Sequence, residues 1–199
     1  MHYDNDGLLL YLIRHGGTAG NAEKRYIGKT DESVTDEWKT ILKRMHAPEV
    51  EIVCSSPMRR CVQTARILYG KPPDVIAYGL HECDFGRFEG KNYMELSSEP
   101  DYQRWIDSGG KTGFPDGEDI YGFEKRIERS FMDEVVTHCR LQGVRSAAIV
   151  THGGVIMGLL ERLGDGSVSF YDHMPANGEC IECIYTEKER PLLIKRRIE

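Results

Sequence analysis

The sequence has no apolar run approaching the roughly 20 residues that a membrane-spanning helix requires. It also lacks a basic leader, because residues 1–7 hold two aspartates and no lysine or arginine. Such a start is unlike the basic n-region of a secretory signal peptide. We therefore expect a cytoplasmic protein with no membrane partner.

An excess of positive charge is missing as well, since 32 acidic residues against 26 basic residues give a formal net charge of −6. A surface that binds nucleic acid along its phosphate backbone needs clustered cations. We expect no nucleic-acid partner, and any anion site must be a local cationic pocket. A length of 199 residues suits one well-buried core, so we predict a single domain over residues 1–199. The oligomeric state is left open.

Repeated cysteine pairs, the usual sign of a structural zinc site, are absent. The six cysteines include one C-x-x-C spacing, Cys180 and Cys183, within a predicted strand. Residues three apart in a strand point to opposite faces, so these two thiols are not expected to share a metal. We predict reduced, partly buried thiols.

Two apolar runs that each end in His-Gly stand out in the sequence. Residues 8–13 read LLLYLI and lead to Arg14 and His15, and residues 147–151 read AAIVT and lead to His152 and Gly153. An open α/β sheet gathers its ligands at the carboxyl ends of its parallel strands. The two endings therefore predict one pocket built from two imidazoles.

Further motifs accompany the two His-Gly endings in a fixed order. They are RHGGT (14–18) followed by Asn21, RYIGKTD (25–31), SSPMRRCVQTA (55–65), LHECDFGRFEG (80–90), FPDGE (114–118) and HGG (152–154). Together they resemble the histidine phosphatase superfamily, also called the phosphoglycerate mutase-like family, from about residue 8 to residue 177. Three departures bear on substrate preference: Trp38 stands where glycine is common, Cys61 where alanine is common, and Met157 where many members carry arginine.

The resemblance implies a phosphohistidine mechanism that needs neither metal nor cofactor. His15 is then the nucleophile, and Glu82 donates a proton to the leaving oxygen. Arg14, Arg60 and His152 form the phosphate pocket. For the second arginine, the spacing to Gln-Thr-Ala favours Arg60 over its neighbour Arg59, which remains the alternative.

Phosphoryl transfer explains why these residue types recur. The group in transit carries its charge on three equatorial oxygens, so fixed hydrogen-bond donors and cations dominate catalysis. An imidazole attacks phosphorus only through a neutral nitrogen, and the glycine turn after His15 lets the backbone accept from the other nitrogen. Thr18, Asn21 and the backbone of Gly153 are predicted to bind the phosphate; turn capping is the alternative for Thr18 and Asn21. Asp84 and Glu89 are predicted to be solvated or loop-supporting charges.

Predicted strands and helices alternate along the chain, and the last two strands are predicted to form an antiparallel hairpin. This pattern predicts a three-layer α/β/α sandwich around a mainly parallel sheet, with a substrate lid within the loop-rich residues 79–117. Ser56 and Pro57 look like a helix N-cap and first helical residue, and Asp119 like the cap of a long helix. The predicted strands are 8–13, 51–55, 74–78, 146–151, 179–186 and 192–198, and the predicted helices are 34–45, 57–69, 102–107, 120–139 and 154–163.

Three functions are compatible with this pattern of motifs. The pattern favours a phosphatase that acts on a small phosphorylated metabolite, and it resembles that of bacterial α-ribazole phosphatases and broad-specificity sugar-phosphate phosphatases. The alternative is a cofactor-dependent phosphoglycerate mutase, but those enzymes carry a longer insertion between the acid and the second histidine and tend to have asparagine where Gly154 stands. A non-catalytic phosphate-binding module is disfavoured because it is expected to have lost at least one residue of the pocket, and none is missing.

Overall fold

The computed structural model describes residues 7–164, 166, 174–187 and 191–198. Six strands within these ranges form one sheet in the order β3-β2-β4-β1-β5-β6. The first four strands in this order pair in parallel, whereas β5 and β6 pair antiparallel. The strands are β1 (Leu8–Arg14), β2 (Ile52–Ser55), β3 (Val75–Ile76), β4 (Ser146–Thr151), β5 (Cys180–Tyr185) and β6 (Leu192–Ile198).

Helices connect the parallel strands and cover both faces of the sheet. A π-helical segment, Phe131–Val136, joins α6 to α7 without a break, and short 3-10 turns cover Tyr78–Leu80 and Gly86–Phe88. The α-helices are α1 (Ala19–Ala22), α2 (Asp36–Leu42), α3 (Arg59–Tyr69), α4 (Tyr93–Leu96), α5 (Pro100–Asp107), α6 (Ile120–Ser130), α7 (Thr137–Gln142) and α8 (Gly153–Leu163).

Alternating side chains of the central strands divide the core into two layers. Leu10 and Ile149 pack in one cluster with residues of α6, the π segment and α8, whereas Tyr11 and Val150 pack in the other with residues of α3. This alternation is the period-two signature of a strand buried on both faces. The predicted three-layer α/β/α architecture is confirmed.

The cysteines follow the same alternation. Cys180 lies in the cluster with α3 and Cys183 in the cluster with α6 and α8, so their thiols occupy opposite faces of the sheet, as predicted. All six cysteines are free and buried. Within the described ranges, no three His, Cys, Asp or Glu side chains are grouped so that they could hold a metal ion. No helix in the same ranges is long and apolar enough to cross a bilayer.

Several predicted boundaries need correction. The helix expected over residues 34–45 is shorter, because Thr35 caps it and α2 covers only Asp36–Leu42. Ser56 is not the N-cap of the next helix: α3 begins at Arg59 with Met58 as its N-cap, and the Ser56 hydroxyl accepts from His152 Nε2 and, over 3.4 Å, from the Met58 N–H. Two smaller corrections are a strand of only Val75–Ile76 where 74–78 was expected, and helix α5 at Pro100–Asp107 where 102–107 was expected.

The long helix after Asp119 is present. The Asp119 carboxylate accepts from the Gly122 N–H over 2.6 Å, which caps the helix as predicted. Its apolar stripe, Phe123, Ile127, Phe131 and Val135, is buried against the sheet. The helical path continues to Gln142, three residues beyond the predicted end.

Candidate active site

The two His-Gly endings meet because β1 and β4 are neighbours in the sheet. Arg14 pairs with Thr151 in register, and the His15 N–H donates to the Thr151 carbonyl over 3.0 Å. Consequently the imidazoles of His15 and His152 lie edge to face, with ring centroids 5.2 Å apart. The two imidazoles therefore lie together as expected, although His15 and not His152 is among the described residues that line the cavity.

The imidazole of His15 is held in its neutral form. Its Nδ1 lies 2.8 Å from the Gly16 carbonyl oxygen, and because a carbonyl only accepts, Nδ1 carries the proton and Nε2 keeps its lone pair. Burial, together with the charges of Arg60 and Arg14, lowers the pKa of His15 to about 3. The glycine turn thus supplies the acceptor that the sequence predicted.

The turn after His15 is fixed from two sides. The Gly16 N–H donates to Thr64 Oγ1 over 2.9 Å, which ties the turn to α3. On the other side, Asn177 Nδ2 donates to the His15 carbonyl and the Gly178 N–H to the Arg14 carbonyl, each over 3.0 Å. Asn177 lines the cavity and is a site residue that the sequence analysis missed, since it lies in no His-Gly motif.

Arg14 ends β1 with its guanidinium partly buried beside the first turn of α8. Its Nη1 donates to the Pro175 carbonyl over 2.6 Å, whereas its buried Nε has no partner among the described residues. A Cβ added at Gly153 would lie 3.4 Å from this Nε, so glycine brings the helix start close to the guanidinium. Burial lowers the pKa of Arg14.

Arg60 is 1% exposed and projects from the first turn of α3. Its Nη1 donates to the Thr30 carbonyl over 2.8 Å, and its Nη2 donates to the Gly28 carbonyl over 3.1 Å. Its Nε donates to His152 Nδ1 over 3.3 Å. The neighbouring Arg59 is exposed and pairs with Asp31, whereas Arg60 is buried beside His152; the role of Arg60 in a phosphate pocket stays a prediction.

His152 lies wholly buried behind His15, and both of its ring nitrogens are occupied. Because the Arg60 Nε only donates, His152 Nδ1 accepts, and the ring proton belongs on Nε2. That Nε2 lies 2.8 Å from the Ser56 hydroxyl, which accepts from it. Burial and the Arg60 charge lower the pKa of His152, so the ring is neutral. Neither His152 nor Arg60 is among the described residues that line the cavity.

Glu82 reaches the site from the chain that follows the Tyr78–Leu80 turn. Its carboxylate accepts from the Gly154 N–H over 3.2 Å and from the Cys83 N–H over 3.0 Å. Arg126 on α6 supports this segment by donating to the Gly79 and His81 carbonyls. Arg126 is in turn bound by both oxygens of Glu118, the last residue of FPDGE. This bracing was not predicted, because α6 lies far away in the sequence.

Thr18 and Asn21 form a capping box at the start of α1. Asn21 Oδ1 accepts from the Thr18 N–H over 3.2 Å, and Thr18 Oγ1 accepts from the Asn21 N–H over 3.3 Å. The capping alternative therefore describes both side chains in this structure. Asn21 also accepts from Asn177 and lines the cavity, whereas Thr18 is buried beneath it.

The acidic residues near Glu82 support loops, as predicted. Glu89 accepts from the N–H groups of Gly28 and Thr30, and so holds the loop whose carbonyls bind Arg60. Asp84 accepts from the Gly86 N–H and pairs with Lys29.

A cavity of about 470 Å³ opens beside His15. Its inner end carries Arg14, His15, Glu82 and the backbone of Gly153 and Gly154, and its walls extend over residues of α5 and α6. The model of the histidine phosphatase superfamily (branch 1) matches residues 10–198 of the sequence.

The chain belongs to the histidine phosphatase superfamily.

Several curated proteins and a solved structure resemble the chain. The adenosylcobalamin/alpha-ribazole phosphatase of Escherichia coli K12 is 26% identical over 162 residues, 77% of this chain and 78% of that protein. A broad-specificity phosphatase of Saccharomyces cerevisiae is 30% identical over 172 residues, which cover 80% of this chain and 72% of that protein. A probable phosphoglycerate mutase of Enterobacter sp. is 28% identical over 161 residues, which cover 77% of this chain and 73% of that protein. A putative alpha-ribazole-5'-P phosphatase of E. coli superposes with a TM-score of 0.80 at 22% identity, covering 96% of this chain and 95% of that one, and so shares the fold. The prediction of a histidine phosphatase is confirmed, and the mutase alternative has less support.

Proposed function

We propose that the chain hydrolyses small phosphate monoesters through a phosphoryl group carried on His15 Nε2. The observation that supports this proposal is that the half-buried guanidinium of Arg14 and the fully buried one of Arg60 have only uncharged hydrogen-bond partners among the described residues. A buried charge without a counter-ion is costly, so the pocket suits an anion. A neutral imidazole with a free lone pair lies beside them.

In the first step, His15 Nε2 attacks phosphorus and forms a P–N bond while the ester P–O bond breaks. Arg14 and the N–H groups at the start of α8 stabilise the charge on the equatorial oxygens. The leaving oxygen takes its proton from Glu82, whose carboxyl group lies at the same end of the cavity.

In the second step, water attacks the phosphohistidine and the P–N bond breaks. Glu82, now a carboxylate, takes the proton of that water, so it acts as acid and then as base. His15 returns to its neutral form, and inorganic phosphate leaves. Asn21 and Gly153 are proposed to bind the phosphate, with Thr18 setting the turn that carries Asn21.

Arg60 and His152 are proposed to support this pocket from behind His15. Arg60 contributes positive charge that favours both the neutral imidazole and the bound anion. For Arg60 or His152 to bind the phosphate directly, one of its present hydrogen bonds must break in exchange for the phosphate contact. We therefore include both residues in the proposed catalytic site.

The substrate is proposed to be a small phosphorylated metabolite, in line with relatives named alpha-ribazole phosphatase and broad-specificity phosphatase. We further propose that residues 1–199 form one domain, that the enzyme is cytoplasmic, that it binds neither nucleic acid nor membranes, and that it needs no metal.

Rapid quenching tests the proposal. A ³²P-labelled monoester mixed with the wild-type protein is expected to give acid-labile, base-stable label, and His15→Ala is expected to give neither label nor turnover. Treatment with a chelator is expected to leave the rate unchanged, and vanadate is expected to inhibit as a mimic of five-coordinate phosphorus. Turnover that disappears with chelator and returns with Mg²⁺, or label that survives His15→Ala, contradicts the proposal.

A further inference from the structure

Away from the inner end of the cavity, where Arg14, His15 and Glu82 lie, aromatic rings dominate its wall. Tyr26, Phe85, Trp105, Phe114 and Phe123 all line it. Glu82 is the only carboxylate among the described lining residues, and it lies at the inner end of the cavity. The leaving group of an ester therefore meets mainly aromatic rings, with Lys24 and Arg25 as the charged side chains along the described wall.

These rings form a fixed wall. Trp105 and Phe114 have centroids 5.3 Å apart, Phe85 and Phe114 5.0 Å, and Tyr26 and Trp105 6.1 Å. Centroid separations of this size are the ones that aromatic pairs prefer. Behind the wall, Tyr102 stacks on Trp105 and is 7% exposed, so the rings are held before any ligand arrives.

Most polar side chains along the wall are already engaged; the indole N–H of Trp105 has no partner among the described residues. Arg25 donates to Glu23, Glu95 and the Gly90 carbonyl. The amides of Asn21 and Asn177 bond to each other and to the backbone.

Consequently, a leaving group rich in hydroxyls loses hydrogen bonds to water in this cavity and recovers few. A buried polar group left without a partner destabilises the complex, so a hydroxyl-rich leaving group is disfavoured. A carboxylate on a short leaving group meets no free arginine along the wall, where Lys24 is the remaining cation among the described lining residues.

We infer that the cavity selects phosphate monoesters whose leaving group carries a flat aromatic ring, which contacts Trp105 and Phe114. This selectivity rests on the proposed phosphatase activity and names the substrate class for the same site. A volume of about 470 Å³ is ample for a phosphate and a bicyclic ring.

A panel of primary alkyl phosphates tests the inference without the bias of leaving-group acidity. The esters are 2-(1-naphthyl)ethyl phosphate, 2-cyclohexylethyl phosphate, glycerol 3-phosphate and glucose 6-phosphate, each assayed for kcat/KM by phosphate release. We expect the naphthyl ester to exceed glycerol 3-phosphate at least tenfold, mainly through a lower KM, and to exceed the cyclohexyl ester about threefold or more.

Trp105→Ala is expected to lower kcat/KM for the naphthyl ester about tenfold while changing that for glycerol 3-phosphate less than twofold. The matched control is Tyr121→Ala, since Tyr121 is 66% exposed and lies off the cavity wall. Its kinetic constants are expected to match the wild type for both esters. Trp105→Leu keeps an apolar side chain on α5 and replaces Trp105→Ala if the alanine variant does not fold.

Two failures are distinguishable. If no ester is hydrolysed, the proposed phosphatase function fails. If esters are hydrolysed but glycerol 3-phosphate or the cyclohexyl ester equals the naphthyl ester, the aromatic selectivity is overturned while the phosphatase function stands. An equal loss on every ester in both Trp105 variants also overturns it, because that result assigns Trp105 a structural role alone.

Discussion

Glu82 lies directly against Gly154 at the first turn of α8. The Gly154 N–H donates to Glu82 Oε2 over 3.2 Å, and a Cβ added at residue 154 would lie 2.5 Å from Glu82 Oε1. Side-chain atoms do not approach that closely, so the Glu82 carboxylate takes this position because residue 154 is glycine, and a side chain at residue 154 forces the carboxylate to shift. The second His-Gly-Gly motif therefore places Glu82 as well as the helix start.

Gly154→Ala is expected to displace the Glu82 carboxylate and to lower kcat/KM by about 10- to 100-fold for alkyl phosphates, less than full loss of a general acid, because the carboxyl group is shifted and not removed. Phosphate release from alkyl esters measures the effect. Gly122→Ala, an exchange in the first turn of α6, is the control and is expected to stay near wild type. Equal activity of Gly154→Ala and wild type contradicts the proposed coupling.

Glu82→Gln is expected to depend on the leaving group. An alcohol must be protonated as it leaves, so loss of the acid is expected to slow alkyl phosphates about 10²–10⁴-fold, whereas 2,4-dinitrophenyl phosphate is slowed much less. Plots of log(kcat/KM) against leaving-group pKa check this by their slope, which steepens in the variant. A parallel shift for good and poor leaving groups shows that Glu82 is not the acid.

The lowered pKa of His15, about 3 against an ordinary 6.5, predicts a pH effect on stability. The folded state keeps the ring neutral, and the unfolded chain binds a proton below about pH 6.5. His15 therefore stabilises the fold fully above pH 6.5, and this contribution is lost as pH falls toward 3. Urea denaturation at successive pH values is expected to show a weaker decline in His15→Gln than in wild type.

The same pKa predicts the protonation state at working pH. Long-range ¹⁵N–¹H NMR is expected to show His15 protonated at Nδ1 alone between pH 5 and 8, without titration. A midpoint near 6.5 for His15 contradicts this assignment.

Ser56→Ala is expected to leave His152 Nε2–H buried without its oxygen partner, because both residues are fully buried. The cost is about 1–3 kcal/mol in the free energy of unfolding, and we expect activity to fall with it because His152 packs against His15. Urea denaturation and phosphate release measure the two effects. Ser97→Ala, at an exposed serine with a bond to a nearby carbonyl, is the control and is expected to change little. An unchanged stability of Ser56→Ala argues against this hydrogen bond.

Phosphatase and mutase behaviour differ in how well the phosphohistidine is shielded from water. Between Glu82 and His152 the chain must build the helical path from Ile120 to Gln142 and strand β4, which leaves residues 83–119 and their short helices for a lid. With 3-phosphoglycerate and 2,3-bisphosphoglycerate present, free phosphate is expected to form at least as fast as 2-phosphoglycerate. Isomerisation a hundredfold faster than hydrolysis, about 3 kcal/mol in barrier height, would replace the phosphatase proposal with the mutase alternative.

The sheet and the two imidazoles could be predicted from the sequence because their signals are local. Continuous apolar runs predict buried parallel strands, and a His-Gly turn after each run places both rings at one edge of the sheet. The long stripe after Asp119 was predictable for the same reason, since its period matches a helix and an aspartate caps it. Helix ends were less predictable, as Ser56 shows: α3 begins only at Arg59, and the Ser56 hydroxyl bonds to His152 and to the Met58 N–H just before the helix.

The contacts that tune the site depend on residues far apart in the chain. The carbonyls of the 27–30 loop bind Arg60, Asn177 binds the His15 carbonyl, and Arg126 holds the segment that carries Glu82. No spacing rule connects such partners, because folding alone brings them together. The sequence by itself determined the sheet, the family and the meeting of the two imidazoles, since each follows from local pattern and residue type. Only the tertiary structure decided which donors are already engaged, which guanidinium atoms remain unpaired and which rings line the cavity, because burial and distance exist only in the folded chain.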